Sequence, residues 1–234
     1  MSMSGIVEVS SAADSRKIQS QGSQRLAILG ATGRTGRLLL AQAKERGLEV
    51  NALARIPAEL GDLRGTANVV EGSAIDPDAV ERVVAGCSAV LCAIGQVQDS
   101  PADLLKRATL NTVDAMNKLG VKRLVILSNT AVEDPTDSPP LVQRMLRVAL
   151  AAMNGKLKQD SVGAAKVLAG SGLDWTLVRA PILTDGPKTG RYRVGPLAKG
   201  MPLRVSRADV AEFMLSCAVE GKFALERPVI GGGS

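Results

Sequence analysis

The sequence predicts an α/β domain built on a doubly wound parallel sheet, and three observations predict it. From Arg25 onward, short apolar runs alternate with helical segments, the order that a parallel sheet with right-handed crossovers requires. Two of the runs, "SAVLCAIG" (88–95) and "RLVILS" (123–128), are almost continuously apolar, as strands covered on both faces are. The first run ends in "LGATGRTG", with Gly30, Gly33 and Gly36 three apart, and a helical pattern follows it directly. At 234 residues the chain has room for one such domain, or one domain with an appendage.

The first 23 residues, "MSMSGIVEVSSAADSRKIQSQGS", are polar and Ser-rich and lack the apolar stretch of a secretory leader. They are expected to be a flexible tail, residues 1–23, ahead of a single domain at 24–234. "LAILG" (26–30) is the first strand, "RTGRLLLAQAKERG" (34–47) a helix stopped by Gly47, and "EVNALA" (49–54) the second strand. "NVVEG" (68–72) is the third. In "DPDAVERVVAG" (76–86), Asp76 stands as N-cap and Pro77 takes the first helical position. After the strand at 88–95 comes a long amphipathic helix, "PADLLKRATLNTVDAMNKLG" (101–120), and then the strand at 123–128. "DPTDSPP" (134–140) is a turn-rich break. The stretch 141–161 spaces Leu141, Val142, Met145, Leu146, Ala149, Leu150 and Met153 as a helix does. It is a packing helix or, alternatively, a lid or subunit contact. "VGAAKVLAGSG" (162–172) is a short helix, "DWTLVRAPIL" (174–183) a strand running into a proline, and "RADVAEFMLSCAVEG" (207–221) the last helix before "PVIGG". The C-terminal third is expected to form a small substrate-side region, the far wall of a cleft.

Composition narrows the partners. Aromatics are only 2% of the residues, so Leu, Val, Ile and Ala must fill the core. The net charge is +6 and unevenly placed: residues 1–117 carry 12 basic and 13 acidic side chains, residues 118–234 carry 17 and 10. Nucleic-acid binders usually add stacking aromatics or a basic run. Scattered bases with almost no aromatics favour an anionic small ligand, or simply a solvated surface. Cys87, Cys92 and Cys217 are odd in number and unclustered, and there is no histidine. Neither a disulfide framework nor a metal site is expected, and a reducing compartment, the cytoplasm by default, fits. No run approaches the length of a membrane span. Monomer and homodimer are both compatible with the sequence.

The glycine stretch carries the most chemistry. Gly30 ends a strand and permits a tight turn, Gly33 lets backbone approach a pyrophosphate, and Gly36 lets the helix pack closely. The helix N-terminus then offers N–H groups and partial positive charge to phosphates. The spacing is not that of a P-loop, and no Gly-Lys-Ser/Thr follows. The fold is therefore expected to be Rossmann-type and the ligand a dinucleotide. The end of the second strand chooses which. A carboxylate there would bind the ribose 2′-hydroxyl of NAD, and an arginine the 2′-phosphate of NADP. The sequence reads Ala52-Leu53-Ala54-Arg55 and has no carboxylate until Glu59. Arg34, inside the glycine loop, adds a second guanidinium, and the two favour NADP.

"LGATGRTG", "ALAR", "GVKRLVILSN" and "SGLDWTLVRAPILTDGPKTGRYRV", the last continued by "VSRADVAEFML", together resemble the atypical short-chain dehydrogenase/reductase superfamily. The similarity spans roughly residues 25 to 231 and is greatest to the NAD(P)H-binding group containing biliverdin-IXβ reductase, also a flavin reductase, with NmrA-like relatives. The resemblance implies that Gly30, Thr32, Gly33, Arg34 and Thr35 hold the pyrophosphate and Arg55 the 2′-phosphate. It implies that Ser73 and Ala74 border the adenine, and that Ala93, Ile94 and Gly95 line the ribose side. Ser128, Asn129 and Thr130, with Ala180, Pro181, Ile182 and Leu183, would flank the nicotinamide. Two departures matter. The superfamily's Tyr-x-x-x-Lys pair is absent, Tyr192 being the only tyrosine. A histidine of the reductase group falls at Ser161 or Ala165, so a mechanism that needs a histidine acid is excluded.

Hydride transfer to a flavin, quinone or linear tetrapyrrole remains, since such planar acceptors can take protons from solvent. Ser128 is the candidate catalytic hydroxyl, bonding the carboxamide or the acceptor; its alternative role is capping a turn. Lys166 is an acceptor-binding cation or an exposed helix lysine. Asn111 orders a water or backbone near the site, or satisfies a buried turn. Arg179, Arg191 and Arg193 attract an anionic acceptor or are solvated. Asp76 and Asp209 read as helix caps. The expectation is thus an NADPH-dependent reductase. Its rivals are an NADPH-sensing regulatory protein without turnover and a sugar-nucleotide epimerase or dehydratase.

Overall fold

The computed structural model describes residues 5–10, 24–96, 100–141, 145 and 155–232. Its strands are β1 (Val7–Ser10), β2 (Arg25–Leu29), β3 (Glu49–Ala54), β4 (Asn68–Glu71), β5 (Ala89–Cys92), β6 (Arg123–Asn129), β7 (Asp174–Ala180), β8 (Ile182–Thr184), β9 (Arg191–Gly195), β10 (Arg204–Ser206) and β11 (Val229–Gly232). Its α-helices are α1 (Arg34–Glu45), α2 (Pro77–Val84), α3 (Leu104–Leu119), α4 (Gly155–Ala169) and α5 (Arg207–Glu220). Nine strands form one sheet in the order β1-β9-β11-β7-β6-β5-β2-β3-β4, and β8 and β10 form a parallel pair beside it. From β4 across to β7 every pairing is parallel, as is β7 with β11; β9 alone runs the other way, between β11 and β1.

The strand period of two builds a core on each face. Leu26, Ile28, Val125 and Leu127 point to one side, where α1 brings Leu39, Leu40 and Ala43 and α5 brings Val210, Met214 and Cys217. Ala27, Leu29, Leu124 and Ile126 point to the other, against Val80 and Val83 of α2, Leu105 and Met116 of α3, and Ala164 and Leu168 of α4. Each fully buried Leu or Ile contributes about 1.5–3 kcal/mol, and the near absence of aromatics is met by many such aliphatic contacts. This is the doubly wound Rossmann-type α/β domain that the alternation predicts.

Several local features differ from the expectation. Val7–Ser10, expected within the tail, pairs antiparallel with β9, and Glu8 forms an ion pair with Arg193. The short alternation Ile6-Val7-Glu8-Val9 is the signal: Val9 packs on the main core while Glu8 faces out. Most of the proposed helix at 141–161 lies outside the described residues. Its last part does not end at Ser161 but continues as α4 without a break to Ala169, because Asp160, Ser161, Ala164, Ala165 and Leu168 share one buried face. The cap of α5 is Ser206 rather than Asp209, whose N–H donates to the Ser206 hydroxyl at 3.0 Å. The Asp209 carboxylate instead accepts from the Thr189 and Gly190 N–H groups, at 2.8 and 2.9 Å, and pins the loop before β9. Asp76 caps α2 as expected, accepting from the Asp78 N–H at 3.1 Å. Among the described residues no helix is long and apolar enough to cross a membrane.

Candidate functional site

The sheet gathers the predicted residues along one edge, at the C-terminal ends of its parallel strands. Gly30 follows β2, Arg55 follows β3, Ser73 and Ala74 follow β4, and Ala93, Ile94 and Gly95 follow β5. Ser128 and Asn129 end β6 in register with Arg179 and Ala180 of β7, and Pro181 and Ile182 come next. In open α/β sheets ligands sit at this edge, where the strand order reverses direction. The reversal here lies between β2 and β5, since the chain winds outward through β3 and β4 and then returns to β5.

The glycine turn is tightly specified. Gly30 adopts φ +79°, and a Cβ on it would lie 2.9 Å from the Ala93 carbonyl oxygen and the Ile94 nitrogen. A Cβ on Gly36 would overlap the Gly30 carbonyl, which is why α1 can start directly against the turn. At Gly33 the only neighbour of such a Cβ is the Gly30 carbonyl, at 3.2 Å, and the residue is exposed. Gly33 is also the N-cap of α1; no side chain caps that end and no acidic residue occupies its first turn. The positive end of α1 therefore faces an open cradle bare of Cβ. Thr32 is half-buried beside it and Thr35 is buried under it.

Two of the expected cations flank the glycine turn and the end of β3. Arg55 is exposed and has no ion-pair partner among the described residues. Arg34 does not join it: it is exposed and reaches across to Asp185, at 3.4 Å, beyond β8. Asp185 is also bound at 2.5 Å by Arg207, the first residue of α5. The neighbouring Arg37, which no motif singles out, donates to the carbonyls of Glu59 and Leu60. It thereby holds the 3₁₀ stretch Pro57–Thr66 that follows Arg55. Asn111 donates to the Ala74 carbonyl at 3.1 Å and so steadies the loop after β4.

At the other end of the edge, Ser128 is 8% exposed and its hydroxyl has no hydrogen-bond partner among the described residues. A buried hydroxyl without a partner costs about 1–3 kcal/mol, a cost that a ligand's polar atom placed there would offset. Next to it, the Asn129 amide donates to the Ser161 hydroxyl at 2.9 Å, and its oxygen accepts from the Ala131 N–H at 2.9 Å. Ser161 thus lies at the site and Ala165 is buried one turn further along α4. Asp160, beside it, is 3% exposed and ties three elements together. Its carboxylate accepts from the Leu105 and Lys106 N–H groups, at 2.9 and 2.8 Å, and from the Gln96 amide at 2.8 Å. It caps α3 from outside, where α3's own N-cap Asp103 makes no such bond.

A family model described as NAD(P)H-binding matches residues 30–220. The chain belongs to that NAD(P)H-binding family. The match begins at Gly30 and takes in every candidate residue named above. The oxidoreductase aflX of Aspergillus parasiticus is 31% identical over 161 residues, covering 62% of this chain and 59% of that protein, less than two-thirds of its length. Among solved structures, a wide-type short-chain dehydrogenase/reductase from Veillonella parvula in complex with NADP superposes with a TM-score of 0.74 at 18% identity, covering 90% of this chain and 95% of that one. ChuY, an anaerobillin reductase from Escherichia coli O157:H7, gives 0.74 at 20% identity over 90% and 98%. Both share the fold.

For this member of the NAD(P)H-binding family, most of the remaining candidates are engaged away from Ser128. Arg179 is not a solvated or ligand-attracting cation: its side chain is fully buried and bidentate on Asp137, at 2.6 and 2.9 Å. Arg193 is engaged by Glu8 on the outer strand, while Arg191 is exposed at the start of β9. Tyr192 is buried against Phe213, and burial, reinforced by the nearby Glu212 carboxylate, pushes its phenol far above its ordinary value. It is a core residue. Burial likewise pushes Cys92, at the end of β5, up to about 11, so it stays a neutral core thiol. Lys166 is exposed on α4.

Proposed function

We propose that the chain binds NADP(H) along this edge and serves as a reductase for a planar acceptor such as a flavin, a quinone or a linear tetrapyrrole. The observation that carries the reading is the buried hydroxyl of Ser128, unpartnered among the described residues, at the strand end where a nicotinamide and its acceptor would meet. Bound NADPH supplies the hydride. The first-turn N–H groups of α1 hold the pyrophosphate over Gly33, and Arg55 meets the 2′-phosphate. Ser73 and Ala74 border the adenine, Ala93, Ile94 and Gly95 the ribose. Ser128 donates its hydroxyl to the carboxamide or to the acceptor carbonyl, and the exposed Ile182 offers apolar surface to a flat ring. The described residues put no phenol at this edge and the chain has no imidazole, so protons reach the acceptor from water, which flavins and quinones accept. The Aspergillus relative is called an oxidoreductase and the Escherichia coli neighbour a reductase, which agrees with this reading.

A sensor that binds NADPH without turnover is the second reading, favoured by the burial of Tyr192 away from the edge. Epimerase chemistry has no tyrosine to use. The test is NADPH consumption with a panel of flavins and quinones, beside a titration followed by the nicotinamide's own fluorescence. Trp175 is a poor reporter, since it begins β7 at the opposite edge, under Arg227. Tight binding with no turnover on any acceptor overturns the reductase reading, and equal affinity for NADH and NADPH overturns the role of Arg55.

A further inference from the structure

A groove of about 400 Å³ runs between α3 and α4, outside the strand-end site. Its walls are mostly carbon, with Val162, Gly163 and the stems of three lysines, Lys106, Lys158 and Lys166. No carboxylate lines it, and none of the three ammonium groups has an ion-pair partner among the described residues. Lys106 is held in place twice. Its backbone N–H is bonded to Asp160 at 2.8 Å, and its stem lies across Gly163, where a Cβ would come within 3.1 Å of Lys106 Cδ.

Topology puts one end of this groove beside the candidate site. α3 leaves the C-terminal end of β5 and runs back to the start of β6, and α4 runs down to the start of β7. Both helices therefore begin at the strand edge that carries Ser128. Lys106 is the third residue of α3 and Lys158 the fourth of α4. Ser161, three positions after Lys158, already bonds Asn129 at that edge.

Resting on the reductase reading above, we infer that this groove seats the anionic side chain, phosphate or carboxylate, of the acceptor whose ring lies at the Ser128 edge. Of the three arginines expected to draw an anion, Arg179 and Arg193 are already paired and Arg191 stands on β9, three strands across the sheet from Ser128, whereas the lysine groove lies between the two helices that begin at the Ser128 edge. A second copy of the chain does not fit, because two such faces would oppose lysine to lysine without a lining carboxylate.

The test compares FMN with riboflavin, which share the ring and differ by one phosphate. For the parent protein saturated with NADPH, kcat/KM for FMN exceeds that for riboflavin by about tenfold at low salt, as one charge-assisted contact is worth. The preference shrinks as salt rises, because exposed charges are screened. The triple variant Lys106→Gln, Lys158→Gln, Lys166→Gln brings the ratio close to one. The same pair is followed by fluorescence anisotropy on the NADP⁺-loaded protein, whether or not turnover occurs. Binding that favours FMN in the parent and not in the triple variant supports the groove even if no flavin is reduced, an outcome that counts against the reductase reading for flavins and not against the groove. Equal handling of the two flavins by the parent, or an FMN preference that survives the triple substitution, overturns the inference.

Discussion

Replacing Asp137 with alanine strands a buried charge. The Arg179 side chain is fully buried, and two of its hydrogen bonds, at 2.6 and 2.9 Å, end on the Asp137 carboxylate. The carbonyls of Val132 and Arg227 remain, but neither carries a countercharge. The Leu197 N–H loses its acceptor as well, a 2.9 Å bond to the same carboxylate. Removing one partner of a buried pair costs about 3–5 kcal/mol. For a chain of this length each kcal/mol lowers Tm by about 2–4 °C, so the midpoint should fall by about 6–20 °C in a thermal melt followed by circular dichroism. The double change Asp137→Leu, Arg179→Met removes both charges and should recover most of the loss. The effect has a pH signature. Burial alone raises the Asp137 carboxyl, but the hydrogen bonds and charge of Arg179, with the N–H groups of Leu197 and Asp134, outweigh it and hold the group below its ordinary value. The folded value is thus the lower one. The contribution to stability is complete above the unfolded carboxyl's value, about 3.9, and is lost as pH falls through the folded value. The deficit of Asp137→Ala should therefore narrow only in acid below about pH 3.9. A melt at neutral pH within about 2 °C of the parent, or a deficit indifferent to acid, would refute this account of the pair.

Three further expectations concern the strand-end site. Arg55→Ala should weaken NADPH by about 1.5–3 kcal/mol, the worth of a charge-assisted contact, and leave NADH alone; titrations with both cofactors decide it, and a parallel loss would show that Arg55 supports the fold rather than the phosphate. Ser128→Ala should leave Tm equal or slightly higher, since it removes a buried hydroxyl that has no partner among the described residues, while kcat/KM for NADPH oxidation falls; a clear loss of Tm would mean the hydroxyl is satisfied in the folded protein. Gly36→Ala and Gly33→Ala should separate. The first drives a methyl into the Gly30 carbonyl and costs stability, about 1–3 kcal/mol or more by denaturant unfolding; the second meets only the Gly30 carbonyl at 3.2 Å and should fold, with its loss showing in cofactor affinity.

What was legible in the sequence is what short-range chemistry encodes. β2, β5 and β6 are short runs of apolar residues with both faces covered, and their length and the turn residues that bound them mark them as strands rather than helices. The strand ends, and with them Gly30, Arg55, Ala93 and Ser128, followed from where those runs stop. Pairings across long stretches of chain were not legible. Asp137 and Arg179 lie 42 residues apart, and nothing near Arg179 announces a countercharge. Asp160 caps α3 across 55 residues, whereas a reader of sequence looks for the cap at Asp103, next to the helix. Arg34 sits within the glycine motif but turns to Asp185, 151 residues later. β1 has four residues in a Ser-rich setting, an alternation too short to announce a strand without the partner β9.

The position of β11 has a consequence for synthesis. It is inserted between β7 and β9, so the sheet beyond β7, including β9 and β1, is joined to the rest through residues 229–232. Domains form from the N-terminal side as the chain emerges. The glycine turn and strands β2 to β7 can assemble on the ribosome, but the seam stays open until Gly232 has cleared it. During that interval β7 and β9 present unpaired backbone edges, the kind that invite another chain. A chain lacking residues 229–232 would keep the strands from β4 to β7 paired while leaving an unpaired edge on β7.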